Sequence, residues 1–254
     1  MNRNETFSAT ETHTIQMDMV RASISVQTCE ADEIRLMVSG DDESVGLLHL
    51  EWSEGKLSLS MPIRDRVPNL ISPAWMQIVL RLPRSWKGGM ELHSQSGAVS
   101  VTDFSGTDLI ISTVSGHIRA ERILCITTDL HSISGILLLE QANIEEIKLS
   151  TISGNILATE VSCDRMHIST VSGSTELNLS TGFTELTGNA ATGDTHISVP
   201  LSEVNATLMS VTGRILTRNI SIQESGPNLH FNSVSGHLEI VGDLPYLNAS
   251  QQEE

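Results

Sequence analysis

The chain has 254 residues, with 15 Lys and Arg against 31 Asp and Glu, for a formal net charge of −16. Hydrophobic residues make up 39% and aromatic residues 3%, enough for a core of small aliphatic side chains, so wholesale disorder is excluded. The acidity excludes a general nucleic-acid binder, which needs a basic stripe to displace counterions from phosphates, and equally excludes electrostatic docking on anionic lipid.

The first residues, MNRNETFSATETHTIQMDMV, contain no continuous apolar run and no small-residue cleavage site, so they do not read as a signal peptide. The expected location is therefore the cytoplasm. No stretch approaches the ~20 apolar residues of a membrane helix. Cys29, Cys125 and Cys163 are odd in number and form no CxxC pair, which predicts buried structural thiols rather than a disulfide framework or a zinc site.

Residues 1–89 read as β structure. Ala22, Ile24 and Val26 alternate, as do Ile34, Leu36 and Val38; then come Leu48, Leu50 and Trp52, and Leu57, Leu59 and Met61. Pro62, Pro68 and Pro73 mark residues 62–75 as a loop, and Met76, Ile78, Leu80 and Leu82 predict a further strand, ended by Pro83. No convincing helix appears.

From residue 90 onward the chain repeats itself. The strings HSQSGAV, STVSGHI, HSISGIL, STISGNI, STVSGST, NAATGDT, MSVTGRI and NSVSGHL carry Gly97, Gly116, Gly135, Gly154, Gly173, Gly193, Gly213 and Gly236, spaced by 19, 19, 19, 19, 20, 20 and 23 residues. Two residues before the glycine stand Val114, Ile133, Ile152, Val171, Val211 and Val234, with Gln95 and Ala191 as exceptions. Five before it stand Leu92, Ile111, Leu130, Leu149, Ile168, Leu208 and Phe231, with Gly188 the exception. Positions two and four after it are also mostly aliphatic. The alternation is that of strands, but its parity breaks between the fifth and second residues before the glycine, so a bend is expected there if both sides face one core. The Ser-Gly step supplies a corner, because glycine tolerates positive φ and a small hydroxyl can bond nearby backbone.

A repeat of about 19 residues fits two or three short strands plus corners. The expected fold is all-β: a single-stranded parallel β-helix (β-solenoid) of about eight coils. The segment 1–89 would cap its first end, which would otherwise expose a free sheet edge. Residues 90–244 form the repeat body, and residues 245–254 a frayed acidic tail. Residues 1–90 hold 9 basic and 12 acidic side chains, and the remainder 6 and 19. The acidity is therefore mostly a property of the repeats.

The repeated [ST]-[VI]-[ST]-G-x-[IVL] units, with the run MQIVLRLPRSWKGGMELHSQSGAVSV leading into them, resemble a bacterial β-strand-repeat family of unknown function that carries the label "putative adhesin". The resemblance covers roughly residues 10–243. It implies a single-chain β-helix, mostly right-handed in the family, and a link to envelope-stress responses and the cell envelope. It carries no catalytic motif.

If coils stack in chain order, the outward positions one and three after the glycine bring Glu176, Asp194 and His196 together, with Arg214 one coil on. A carboxylate–histidine group of this kind can bind a metal or move protons; the competing reading is a solvated face with incidental pairs. Glu91 with His93, and Asp129 with His131 two coils later, form a second such set. Ile136, Leu138 and Leu157 predict an outward apolar patch, either an interface or a surface covered by the N-terminal segment.

No catalytic residue, metal or cofactor is called for. The expected function is a non-enzymatic binding or scaffold module for a protein or glycan partner, without nucleic acid or membrane insertion. The alternatives are a self-assembling β-helical scaffold, hence a homo-oligomer, and a glycan-active β-helix enzyme. The last would need clustered acids in a groove, whereas the acids here are spread over many coils.

Overall fold

The computed structural model describes residues 1–61 and 76–243; the loop expected over 62–75 and the tail 245–254 lie outside the described residues. The described chain is almost entirely β. Before the repeats it forms β1 (Asn2–Ser8), β2 (Thr14–Met19), β3 (Ala22–Cys29), β4 (Glu33–Gly40), α1 (Asp42–Gly46), β5 (His49–Ser53), β6 (Lys56–Ser60) and β7 (Met76–Pro83). The next strands are β8 (Gly89–Ser94), β9 (Val99–Thr102), β10 (Asp108–Thr113), β11 (Ile118–Ser132), β12 (Leu137–Thr151) and β13 (Ile156–Ser172). The last are β14 (Thr175–Leu179), β15 (Glu185–Thr192), β16 (Thr195–Ser198), β17 (Glu203–Ser210), β18 (Ile215–Arg218), β19 (Ser221–Ile222), β20 (Asn228–Ser235) and β21 (Leu238–Val241). The one-turn α1 was not legible as a helix. Its signal is the Asp41 carboxylate, which accepts from the Ser44 amide and caps it; that bond also lowers the Asp41 pKa.

Each repeat contributes one layer, and neighbouring layers pair in parallel and in register. On the face that precedes the glycines the order is β5–β6–β2–β8–β10–β11–β12–β13–β15–β20–β17. On the face that follows them it is β1–β4–β7–β3–β9–β11–β12–β13–β14–β16–β21–β18. The pairs β1–β4, β4–β7 and β5–β6 are antiparallel and lie at one end; the others are parallel. Between the faces runs one continuous aliphatic core, including Leu92, Ile111, Leu130, Leu149 and Ile168 in one column and Ala120, Leu139, Ala158 and Leu177 in another. Each fully buried Leu or Ile contributes about 1.5–3 kcal/mol. Alternation of Ala and Leu down the second column lets successive layers interdigitate.

The four residues of the repeat motif each have a distinct task. The glycines pack on one another: a Cβ on Gly116 would strike the carbonyl of Gly97, one on Gly135 that of Gly116, and one on Gly154 that of Gly135. Only Gly173, Gly193 and Gly236 in this column have a positive φ, so close approach, rather than conformational freedom, requires glycine there. Three residues earlier a buried hydroxyl closes the turn. The Gly135 amide donates to Ser132 Oγ at 2.7 Å, the Gly154 amide to Thr151 Oγ1 at 2.9 Å and the Gly213 amide to Ser210 Oγ at 2.9 Å. The hydroxyl just before the glycine donates to the layer below: Ser134 Oγ to the Val114 carbonyl at 3.0 Å and Ser153 Oγ to the Ile133 carbonyl at 3.2 Å.

The remaining motif residue, two before the glycine, points outward. Val114, Ile133, Ile152, Val171, Val234 and Val211 are 37–76% exposed. The chain bends at this corner, but the bend does not turn the column into the core. Parity breaks because the inward position belongs to the Ser or Thr beside it, whose hydroxyl bonds within the corner at Thr113, Ser132, Thr151 and Ser210, although Thr170 and Ser233 are buried there without a partner.

A second corner carries non-glycine residues in the left-handed region. Asp103, Arg122, Gln141 and Glu160 have φ between 54° and 58° and stand at the same place in successive layers. Their side chains pair: Arg122 Nε donates to Asp103 Oδ1 at 2.6 Å, and Gln141 Nε2 to Glu160 Oε2 at 3.0 Å. The Arg122 guanidinium holds the Asp103 carboxyl below its ordinary pKa.

The stack is not uniform, and the far end departs from chain order. Strands β20 and β21 lie between β15/β16 and β17/β18. The chain thus lays down its outermost layer first and then returns to fill the gap beneath it. The longer spacing before Gly236 supplies the residues for that return. Packing records the order: Phe231 is the register neighbour of Gly188, whose missing side chain leaves room for the ring.

Cys125 and Cys163 are buried, and burial pushes their thiols up to about 11 and about 12; Cys29 is only partly buried. In the native protein at pH 8, Cys29 should react with Ellman's reagent fastest by far, with all three thiols reacting in denaturant; fast native reaction of all three would contradict the burial. Gly135→Ala should cost about 3 kcal/mol or more in urea unfolding, because the Gly116 backbone and the Ser132 hydroxyl that the new Cβ would strike must both shift. Gly182→Ala, whose Cβ would meet only Leu201 Cδ2 at 3.4 Å, should be nearly neutral. Gly188→Val should destabilise by about 2–3 kcal/mol and be largely rescued by Phe231→Val but not by Leu208→Val. Rescue by Leu208→Val instead would mean that the layers stack in chain order.

Candidate binding surface

The most continuous exposed apolar feature is the column two residues before the glycines. In stacking order it runs Gln95, Val114, Ile133, Ile152, Val171, Ala191, Val234 and Val211. Beside it Ile136 is 44% exposed, while Leu138 and Leu157 pair in neighbouring layers and are half-buried. The described N-terminal strands do not cover these residues; they pair with β8 and β9 at the end of the stack.

The outward column one after the glycine is a hydrogen-bond ladder. The Ile136 amide donates to His117 Nδ1 at 3.0 Å, the Ser174 amide to Asn155 Oδ1 at 3.0 Å and the His237 amide to Asp194 Oδ1 at 2.8 Å. Histidine, asparagine and aspartate recur there because each can accept from the next layer's backbone. No motif rule applied to the sequence had marked this role, although the polar residue types at a fixed offset were its visible trace.

Glu176 and His196 are register neighbours, as expected, but Asp194 is turned to the backbone of His237. The inserted layer separates His196 from the layer of Arg214: His196 Nδ1 lies 3.3 Å from Glu239 Oε2, whose other oxygen is bound by Arg218 Nε at 3.1 Å. In the other set, His93 bonds Glu91 at 2.8 Å and Ser112 at 3.0 Å, while His131 bonds Ser150 at 2.8 Å. Nearby Glu146 is flanked by Lys148 and Arg165, and both lower its pKa. Histidines alternating with hydroxyls make this a flat, internally bonded polar face. Among the described residues, no three His, Cys, Asp or Glu side chains are grouped to hold a metal ion.

Where the early strands meet the first repeats there is an open groove of about 300 Å³, lined by Arg84, Lys87, Asp103 and Arg122 around Leu124. Its charges are mutually engaged: Arg84 with Glu30 at 2.8 Å, and Arg122 with both Asp103 and Glu121. No helix among the described residues is long and apolar enough to cross a membrane.

A comparison with curated proteins finds no match. Among solved structures, the chain resembles a putative adhesin from Bacteroides fragilis (TM-score 0.60, 16% identity, 96% of this chain and 97% of that one). It also resembles a putative adhesin from Parabacteroides distasonis (TM-score 0.57, 14% identity, 94% and 97%). A third, from the same organism, is described as a putative lipid binding protein (TM-score 0.51, 14% identity, 96% and 96%). At such identities the likeness is one of fold. The cytoplasmic location expected from the first residues is withdrawn, since the similar structures are named as putative adhesins. The Toastrack DUF4097 family model matches residues 12–228, most of the span over which the family resemblance was expected, and the chain belongs to that family.

Proposed function

We propose that the chain is a non-enzymatic, adhesin-like binding module of the cell envelope or exterior. Its parallel layers form a β-solenoid of roughly 19-residue coils, closed at one end by the strands of residues 1–89. The single observation that carries the binding role is the exposed aliphatic column Val114–Ile133–Ile152–Val171. The corner does not require an apolar side chain there, since Gln95 occupies the same place in the first repeat. A row of β-branched side chains held in water has a use only if a partner covers it.

Ile136, Leu138 and Leu157 widen the row. Glu176, Asp194, His196 and Arg214 serve the stack and its solvation rather than a reaction. The partner is a protein that offers an apolar stripe flanked by basic residues, to match a surface of net charge −16. The names of the similar structures, adhesins among them, support a binding rather than a catalytic reading.

Immobilised full-length chain should capture a partner from the solubilised envelope fraction of its native cell. The double variant Ile133→Asp with Ile152→Asp should lose that capture by tenfold or more while its unfolding midpoint stays within about 0.5 kcal/mol equivalent of the parent, since both sites are on the surface. Equal capture by parent and variant would remove the column from the binding surface.

A further inference from the structure

The two ends of the stack differ. At the end where β1, β4 and β5 run antiparallel, the outermost strands carry charges: Arg3 and Glu5 on β1, His49 and Glu51 on β5. Such side chains discourage edge pairing. At the other end β17 and β18 form the last layer; β19 pairs with the first two residues of β17, Glu203 and Val204, and among the described residues no strand pairs with the outer edges of residues 205–210 or of β18.

This end is open to solvent. Ile118 and Ile156 are each 1% exposed, whereas Ile215, in the same column of the last layer, is 40% exposed. Met209, Leu216 and Ile222 are exposed in the same region. The backbone is unpaired as well. The Asn205 and Val211 amides donate to the carbonyls of Pro227 and Ser233, so by strand alternation the amides of Ala206 and Leu208 point away from β20, to the free edge. At the two ends of β18 the carbonyls of Arg214 and Arg218 accept from the amides of Leu238 and Gly242, so by strand alternation the backbone of Ile215 and Thr217 faces outward. The charges of residues 201–225 balance, with Glu203 and Glu224 against Arg214 and Arg218.

We infer that this end is the contact between two copies of the chain, joined edge to edge about a two-fold axis. A single extended peptide could pair with β17 or with β18, but these edges belong to different faces of the layer. The end of a second copy presents both edges at once, with the same cross-section and the same exposed core residues. A two-fold axis across the stack reverses strand direction, so the new pairs are antiparallel. Balanced charge lets two such ends approach although each chain carries −16. Because the opposite ends are charged and differently built, assembly stops at the dimer.

Sedimentation equilibrium of the full chain tests this. The parent is expected at twice the mass of the chain, 27.6 kDa. Ala206→Pro with Thr217→Pro removes only edge-facing amides and so should leave the ladders and far-UV spectrum intact while giving a monomer. Ile215→Lys is a second route to the monomer if the proline variant folds poorly. The column variant Ile133→Asp with Ile152→Asp should remain dimeric, which separates this contact from the proposed partner surface. A monomeric parent, a dimer that persists in both end variants, or filaments would overturn the inference. A parent that dimerises only after residues 244–254 are removed would also overturn it, by showing that the chain's own tail occupies the end.

Discussion

The closeness of the glycine column fixes the rest of the corner. With each glycine resting on the carbonyl of the one below, no side chain can stand between layers at that point, and the neighbouring residues must satisfy the backbone around it. The residue three earlier turns inward and offers a hydroxyl to the glycine amide. The residue one earlier donates its hydroxyl to the layer below. The residue between them has its carbonyl used and its side chain left over, and it can only face water. The exposed column is thus a geometric consequence of the glycine contact, while its aliphatic character is not. A position that geometry exposes and chemistry leaves apolar is where selection for something other than folding is visible.

Much of this was legible in the sequence, and what was not has identifiable causes. Period and strand alternation follow from residue types at fixed offsets, so the strands around Leu92 or Leu137 could be placed by counting. The inward or outward sense of Val114 and its counterparts could not. A parity break is consistent either with a bend or with a buried Thr beside an exposed Val, and only a hydroxyl-to-amide bond decides between them. The same limit applied to Asp194. Its place one after the glycine was clear, but whether its carboxylate faces a histidine side chain or the His237 amide depends on a separation of a few tenths of a nanometre between layers.

The reversed order of the last two layers explains why the expected cluster was drawn with the wrong partner. Stacking in chain order would set the Gly193 layer against that of Gly213, bringing Arg214 toward His196. The chain instead inserts the Gly236 layer between them, so Glu239 becomes the neighbour of His196 and Arg218 completes the pair. The sequence holds traces of this in its own irregularities. The aliphatic column is broken at Gly188 and overfilled at Phe231, two exceptions far apart in sequence that cancel only if their layers touch. The long spacing before Gly236 is the second trace, since a chain that returns to a lower layer must travel farther than one that climbs to the next. Complementary exceptions therefore say more about layer order than the regular positions do.

Charge divides the surface into parts with different uses. In-register stacking sets like residues about 4.8 Å apart, so an acidic column repels itself unless it is interrupted. The chain interrupts it with cations shared across layers: Arg119 reaches Glu121 at 3.2 Å and Glu140 at 2.7 Å, and Arg165 reaches Glu146 at 3.4 Å. These pairs are exposed and add little stability, but they limit local repulsion while leaving the sides strongly negative. A negative side keeps an exposed aliphatic column from meeting the same column on another copy, because the cost of bringing two such surfaces together rises with their common charge. The last layer lacks that excess. Self-association is thereby directed to the end of the stack, and the column along its side stays available for a partner of opposite charge.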